Sequence, residues 1–133
     1  MILKANNDDL EVIKRIVKEQ FNSELSLNEF SNIYVYKNEE ILGFLVFSII
    51  YERSEIDYIY VFEKYRNKKI ASKLLDKMFI ILRENNVKSV SLEVMIENLN
   101  AISLYKKYGF KEVARREKYY LDKDAYLMMR EVD

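Results

Sequence analysis

The stretch YRNKKIASKLL, Tyr65 to Leu75, places Arg66, Lys68 and Lys69 where a helix-like run of residues should begin. A helix start has free backbone N–H groups and a partial positive charge, so cations are unfavourable there unless an anion sits among them. The strand-like run DYIYVF ends just before this turn. Amides at such a strand-to-helix turn converge on one point, and long basic side chains add attraction for phosphate. A solvated basic turn in a Lys-rich chain explains the same residues, and the stretch taken alone fits that explanation better.

Glu93 is the second position that could carry chemistry. It lies near the end of the strand-like run in SVSLEVMIEN, alternating with Ser91 and Met95. A carboxylate at the C-terminal end of a strand commonly faces a cleft, although an ordinary exposed strand residue is the plainer explanation. Tyr105, in AISLYKKYGF, shares one helix face with Ala101, Leu104 and Tyr108. Packing into a core explains that spacing well and is the plainer explanation. Asn98 precedes the same helix and is most simply its N-cap. Tyr119 and Tyr120 are most simply edge-strand aromatics.

Composition narrows the chemistry. The chain has no Cys and no His. This removes disulfides, a thiol nucleophile, and serine–histidine or cysteine–histidine catalysis, and it argues against a zinc or transition-metal site. A general base must then be a carboxylate, Lys, Tyr, a terminus or water. The 133 residues are 50% hydrophobic with no formal net charge. That fits a single domain over residues 1–133 and gives no global bias toward nucleic acid or membrane. There is no 18-residue apolar run and no signal-peptide pattern. The expectation is a cytoplasmic protein, a monomer or weak homodimer.

The elements that must position these residues follow from periodicity. Residues 2–5 form a short strand. Leu10, Ile13, Ile16, Val17 and Phe21 recur at helical spacing, with Asn7 or Asp8 able to cap. Ser26 and Glu29 form a capping box for a short second helix. NIYVY, EILGFLVFSII and EIDYIYVF are three strands of an antiparallel meander, the middle one apolar throughout and so buried on both faces. A helix runs from about Asn67 to Glu84, KSVSLEV is a strand, and NLNAISLYKKYG is a short helix with Gly109 at its left-handed end. FKEVARREKYY and AYLMMREV close as a hairpin. The order β-α-α-β-β-β-α-β-α-β-β predicts an α+β fold, a central mixed and mostly antiparallel sheet flanked by helices.

Four segments taken together, ILGFLVF, YIYVFEKYRNKKIASKLL, LEVMIENLNAISLYKKYGF and REKYYLDKDAYLMM, resemble the GNAT superfamily of acyl-CoA-dependent N-acetyltransferases. Within it they are most similar to the RimI-type ribosomal-protein N-terminal alanine acetyltransferases. The matching region runs from about Ile41 to Met129. The resemblance implies a three-layer α/β/α fold, acetyl-CoA as co-substrate and no metal. It implies that Arg66, Asn67, Lys68, Lys69, Ile70, Ala71 and Ser72 wrap the CoA pyrophosphate, as the Q/R-x-x-G-x-G/A motif does. It implies that Ile59, Tyr60 and Val61 pair with the pantetheine and hold the thioester carbonyl, and that Asn98 also contacts the cofactor. Glu93 matches the general base and Tyr105 the general acid, while Tyr119 and Tyr120 would flank the acceptor peptide. Two departures stand out: Lys69 replaces the motif's first Gly, and MIEN replaces a more usual polar stretch before the Asn.

Without Cys, no acyl-cysteine intermediate can form, which favours direct attack of an amine on the thioester. The implied acceptor is a protein N-terminus, such as that of a ribosomal protein. An enzyme for small amines such as polyamines or amino sugars, or a module that binds acyl-CoA without turnover, also remains open.

Overall fold

The computed structural model describes the backbone of residues 1–120 and 123–133 and the side chains of all but 118–122. In chain order the elements are β1 (Ile2–Lys4), α1 (Asn7–Phe21), β2 (Ser31–Lys37), β3 (Ile41–Ile50) and β4 (Arg53–Val61). A 3₁₀ turn (Glu63–Tyr65) then leads to α2 (Ile70–Glu84), β5 (Ser89–Met95), α3 (Leu99–Lys107), β6 (Lys111–Tyr120) and β7 (Lys123–Glu131). The strands form one sheet in the order β1-β2-β3-β4-β5-β7-β6. Among the described strands only β4 and β5 run parallel, so the expected mixed, mostly antiparallel sheet is what forms.

Helices cover both faces. Leu74, Leu75, Met78, Phe79 and Leu82 of α2, with Ile102 and Tyr105 of α3, pack against Leu45, Phe47, Val90, Leu92 and Met128. On the opposite face Ile13, Ile16 and Val17 of α1 pack against Val35, Phe44 and Val46. β3 therefore contributes to both cores, as its uninterrupted apolar run predicts. Gly109 ends α3 with φ 87, the left-handed conformation expected there.

Three expectations need correction. The short second helix built on Ser26 and Glu29 is absent, and residues 22–30 are irregular. There the Asn28 side chain accepts from the Phe30 N–H, and Ser31 Oγ accepts from the Asn28 N–H. These local bonds hold the chain in turns that compete with a helix. The cap of α1 is Asn6, which precedes both expected candidates, Asn7 and Asp8. α2 begins at Ile70 rather than near Asn67, because Lys69 has φ 61 and an L-residue in that conformation cannot continue a right-handed helix.

Candidate active site

The cleft is a fork in the sheet. β4 pairs with β3 from Arg53 to Val61. With β5 it pairs only from Arg53 to Ile56, against Ser89 to Leu92, while the far edge of β5 stays bonded to β7 as far as Met95. Beyond Ile56 and Leu92 the two strands part. The edge carrying Ile59, Tyr60 and Val61 then faces the edge carrying Glu93, Val94 and Met95 with no hydrogen bonds across. Backbone groups on such edges need water or a ligand as partner, and an extended chain with its own amides is a natural one.

The cause of the fork lies in β4. Tyr58 pairs with Val46 and Ile56 with Phe47, so Asp57 is one residue too many: a β-bulge, which bends and twists its strand. Gly43 lets β3 hold the far end of β4 closely, since a Cβ there would stand 2.8 Å from the Tyr60 carbonyl oxygen.

The turn after β4 meets the cleft. Arg66 Nε donates to the Val61 carbonyl at 2.9 Å, and its guanidinium lies over the Tyr60 ring. Arg66 thus sits on the end of the strand, whereas Lys68 lies by Tyr65. Asn67 and Lys69 both have positive φ, 64 and 61. Among the described residues no side chain caps α2. Its first internal bond runs from the Lys73 N–H to the Lys69 carbonyl at 3.0 Å, so the amides of Ile70, Ala71 and Ser72 have no acceptor within the helix. The Ile70 side chain is buried, which leaves only its backbone for a ligand. The Tyr108 hydroxyl lies 2.9 Å from the Ser72 carbonyl oxygen and 2.8 Å from Asp76 Oδ1, tying α3 to the first turns of α2.

Glu93 and Tyr105 lie on opposite faces of the sheet. On β5, Val90, Leu92 and Val94 point into the α2–α3 core, so Glu93 points the other way. One guanidinium nitrogen of Arg116 on β6 reaches both its oxygens, at 3.1 and 3.2 Å. Tyr105 belongs to the α2–α3 core, is only 5% exposed, and meets Phe110 edge-on at 5.7 Å. Burial pushes its phenol above the ordinary range. Its hydroxyl has no hydrogen-bond partner among the described residues.

Asn98 is the N-cap of α3, its side chain accepting from the Ala101 N–H at 3.3 Å; this agrees with the plainer reading of its sequence. The side chains of Tyr119 and Tyr120 lie outside the described residues. Sequence reasoning missed Asp57, Gly43 and Arg116. The bulge left a trace, since Ile56, Ile59 and Val61 face the same core at spacings of three and then two, the mark of an inserted strand residue.

Residues 5–110 match the model of the acetyltransferase (GNAT) family. The chain belongs to that family. It is 43% identical over 79 residues to an N-alpha-acetyltransferase of Sulfurisphaera tokodaii, covering 58% of this chain and 47% of that one. The chain thus spans about half the length of that curated relative. It is 31% identical over 91 residues to the [ribosomal protein bS18]-alanine N-acetyltransferase of Haemophilus influenzae, covering 68% of this chain and 62% of that one. Its fold overlays Ard1 from Thermoplasma volcanium with a TM-score of 0.86 at 30% identity, covering 100% of this chain and 97% of that one.

Proposed function

We propose that this GNAT protein transfers the acetyl group of acetyl-CoA to the N-terminal α-amine of a protein, a ribosomal protein being the first to test. In this reading residues 1–133 act as one cytoplasmic domain. The observation that carries it is the fork, which opens beside the uncapped start of α2. A pantetheine arm lies along the edge of Ile59, Tyr60 and Val61. Its pyrophosphate rests on the turn from Arg66 to Ser72, bound by the amides of Ile70, Ala71 and Ser72 and by the helix dipole. Asn98 stands at the start of α3 as a further cofactor contact, and the hairpin segment with Tyr119 and Tyr120 flanks the acceptor.

The chemistry is direct. The amine attacks the thioester carbonyl, the C–N bond forms and the C–S bond breaks. Backbone amides near Val61 stabilise the oxyanion, and Glu93 takes a proton from the attacking nitrogen. With its phenol pushed up, Tyr105 keeps its proton and steadies the departing thiolate by donating a hydrogen bond. The α-amine, with a pKa of about 7.7–8.0, needs far less help than Lys at about 10.4. The two relatives named above, the one an N-alpha- and the other an alanine N-acetyltransferase, support an α-amine acceptor.

Initial rates on a panel of N-terminal peptides, internal-Lys peptides and polyamines test the acceptor, with α-amine peptides expected to react fastest. Glu93→Gln should lower that rate by about 10²–10⁴ at pH 7, and the deficit should shrink at high pH, where the amine is already neutral. Preference for polyamines would replace the acceptor, and full activity in Glu93→Gln would remove Glu93 from the mechanism.

A further inference from the structure

Acetylating an ammonium requires the nitrogen to lose two protons, one before attack and one after. We propose that Asp57 is a second proton acceptor at this site: it takes the proton of the incoming α-ammonium, and Glu93 takes the proton released once nitrogen has attacked. The proposal rests on the acetyl-transfer reading above.

Position is the first argument. Asp57 is the bulge residue at the point where β4 leaves β5, immediately after the last pair, Ile56 with Leu92. Glu93 is the residue immediately after that pair on β5. The two carboxylates therefore head the two arms of the fork. Ser54 and Ile56 are buried and Glu55 is exposed; Ile56 faces the α2–α3 core, so Glu55 lies on the face that also carries Glu93. Asp57 is close enough to Glu55 to be affected by its charge.

Partnership is the second. Both Glu93 oxygens are occupied by Arg116. Asp57 has no hydrogen bond or ion pair among the described residues. An unpartnered carboxylate beside a second acid is a poor structural element and a good acceptor. Desolvation by the surrounding chain, then the charge of Glu55, push its carboxyl up to about 6. Asp57 also keeps exposed surface, which tempers that shift and leaves it within reach of a substrate. A base of this strength is ionised at neutral pH and better matched to an α-ammonium than an ordinary aspartate near 3.9.

The charged groups around it bear on its titration. Glu55 lies on β4 itself, and Glu93 with Arg116 behind it lies across the fork. The Lys18–Glu24 pair lies on the α1 side, where Ser23 meets the Tyr58 hydroxyl. β3 presents only Val46 and Phe47 opposite the bulge. Balance is kept. The ammonium N–H breaks and its proton passes to Asp57, directly or through water. The free lone pair attacks, Glu93 receives the second proton, the thiolate leaves, and one of the two protons ends on the thiol while the other goes to solvent.

A pH series of kcat/KM for the wild type and Asp57→Asn, on the peptide that reacts fastest, tests this. The variant should be about ten- to a hundredfold slower at pH 7, with the deficit fading above pH 8, where the amine is already neutral. Thermal melting supplies a readout independent of turnover. A carboxyl raised in the folded state binds more protons folded than unfolded between about pH 4 and 6, so it costs stability as pH rises through that window. Asp57→Asn should therefore melt higher than the wild type at pH 7.5, with the difference shrinking toward pH 4.5. Slower turnover with a lower melting temperature at pH 7.5 makes Asp57 structural and overturns the proposal, as does an unchanged pH profile. A wild type inactive on every N-terminal peptide overturns the parent reading and this one with it, whereas an active wild type matched by Asp57→Asn overturns only this one.

Discussion

The two long helices are each 15 residues and begin in opposite ways. At the start of α1 the Asn6 side chain accepts from the Asp9 N–H at 2.8 Å, and the Asp9 carboxylate accepts from the Asn6 N–H at 3.0 Å. Asp8 and Asp9 put negative charge at the positive end of the dipole, and Asp9, 4% exposed, pairs with Lys37 at 2.8 Å. At the start of α2 there is no side-chain cap, no acid in the first turn, and Lys69 held left-handed. The α1 start satisfies itself. The α2 start leaves amides and positive charge to be satisfied from outside. A cap and a binding site are alternative uses of the same orphan groups; α1 has the cap, and α2 has no side-chain cap among the described residues.

The comparison breaks most visibly at α1. Asp9→Ala removes a cap bond and leaves the Lys37 ammonium, itself largely buried, without its partner. The expected loss is about 2–4 kcal/mol of stability, between the cost of a lost cap and that of a broken buried pair. Denaturant unfolding measures it. The dissociation constant of acetyl-CoA for the folded protein should not move, because α1 packs on the opposite face from α2. A parallel loss of affinity would show that the two starts are not separate devices.

At α2 the effect should fall on the ligand. Lys69→Glu sets a negative charge against the phosphates and should weaken acetyl-CoA binding about tenfold at low salt, near 1.4 kcal/mol. The difference should narrow at high salt, since exposed charges are screened within about 10 Å at 0.1 M. Titration at two ionic strengths decides the matter. Equal affinity for the Lys69 and Glu forms would make the cations of this turn incidental.

Each device left a different trace in the sequence. The apolar period of α2 and the meander from β2 to β4 were legible because period and burial agree residue by residue. The false helix at Ser26 was a local signal overruled by another, the Asn28 side chain. The fork was not legible as a fork. It depends on where a parallel pairing stops, a non-local fact, and its only local trace is the three-then-two spacing of Ile56, Ile59 and Val61. Glu93 was legible as a strand-end carboxylate, but its partner Arg116 stands 23 residues further along on another strand. The resemblance assigned roles to Glu93 and Tyr105; the structure adds that they lie on opposite faces of the sheet. Asp57 drew no notice as one acid among the 22 in the chain, because nothing in its neighbours showed that it would be the inserted residue.

The smallest effect bears on why Lys69 stands where the family motif has Gly. Gly gives the backbone room for close approach of phosphate. The geometry adds a second reason: φ of 61 at this position lies in the region where a Cβ costs energy and Gly does not. Lys69→Gly should therefore stabilise the free protein by up to about 1 kcal/mol, offset in part by the greater freedom of Gly in the unfolded chain. Its effect on acetyl-CoA is the net of two opposing contributions. Removing the side chain relieves crowding, while removing the ammonium gives up an exposed charge contact of about 1 kcal/mol or less. Affinity should change by less than about tenfold. A rise in melting temperature with affinity nearly unchanged would separate backbone strain from phosphate binding at one residue. A fall in melting temperature would mean that the Lys69 side chain supports the turn in some way that outweighs its left-handed backbone.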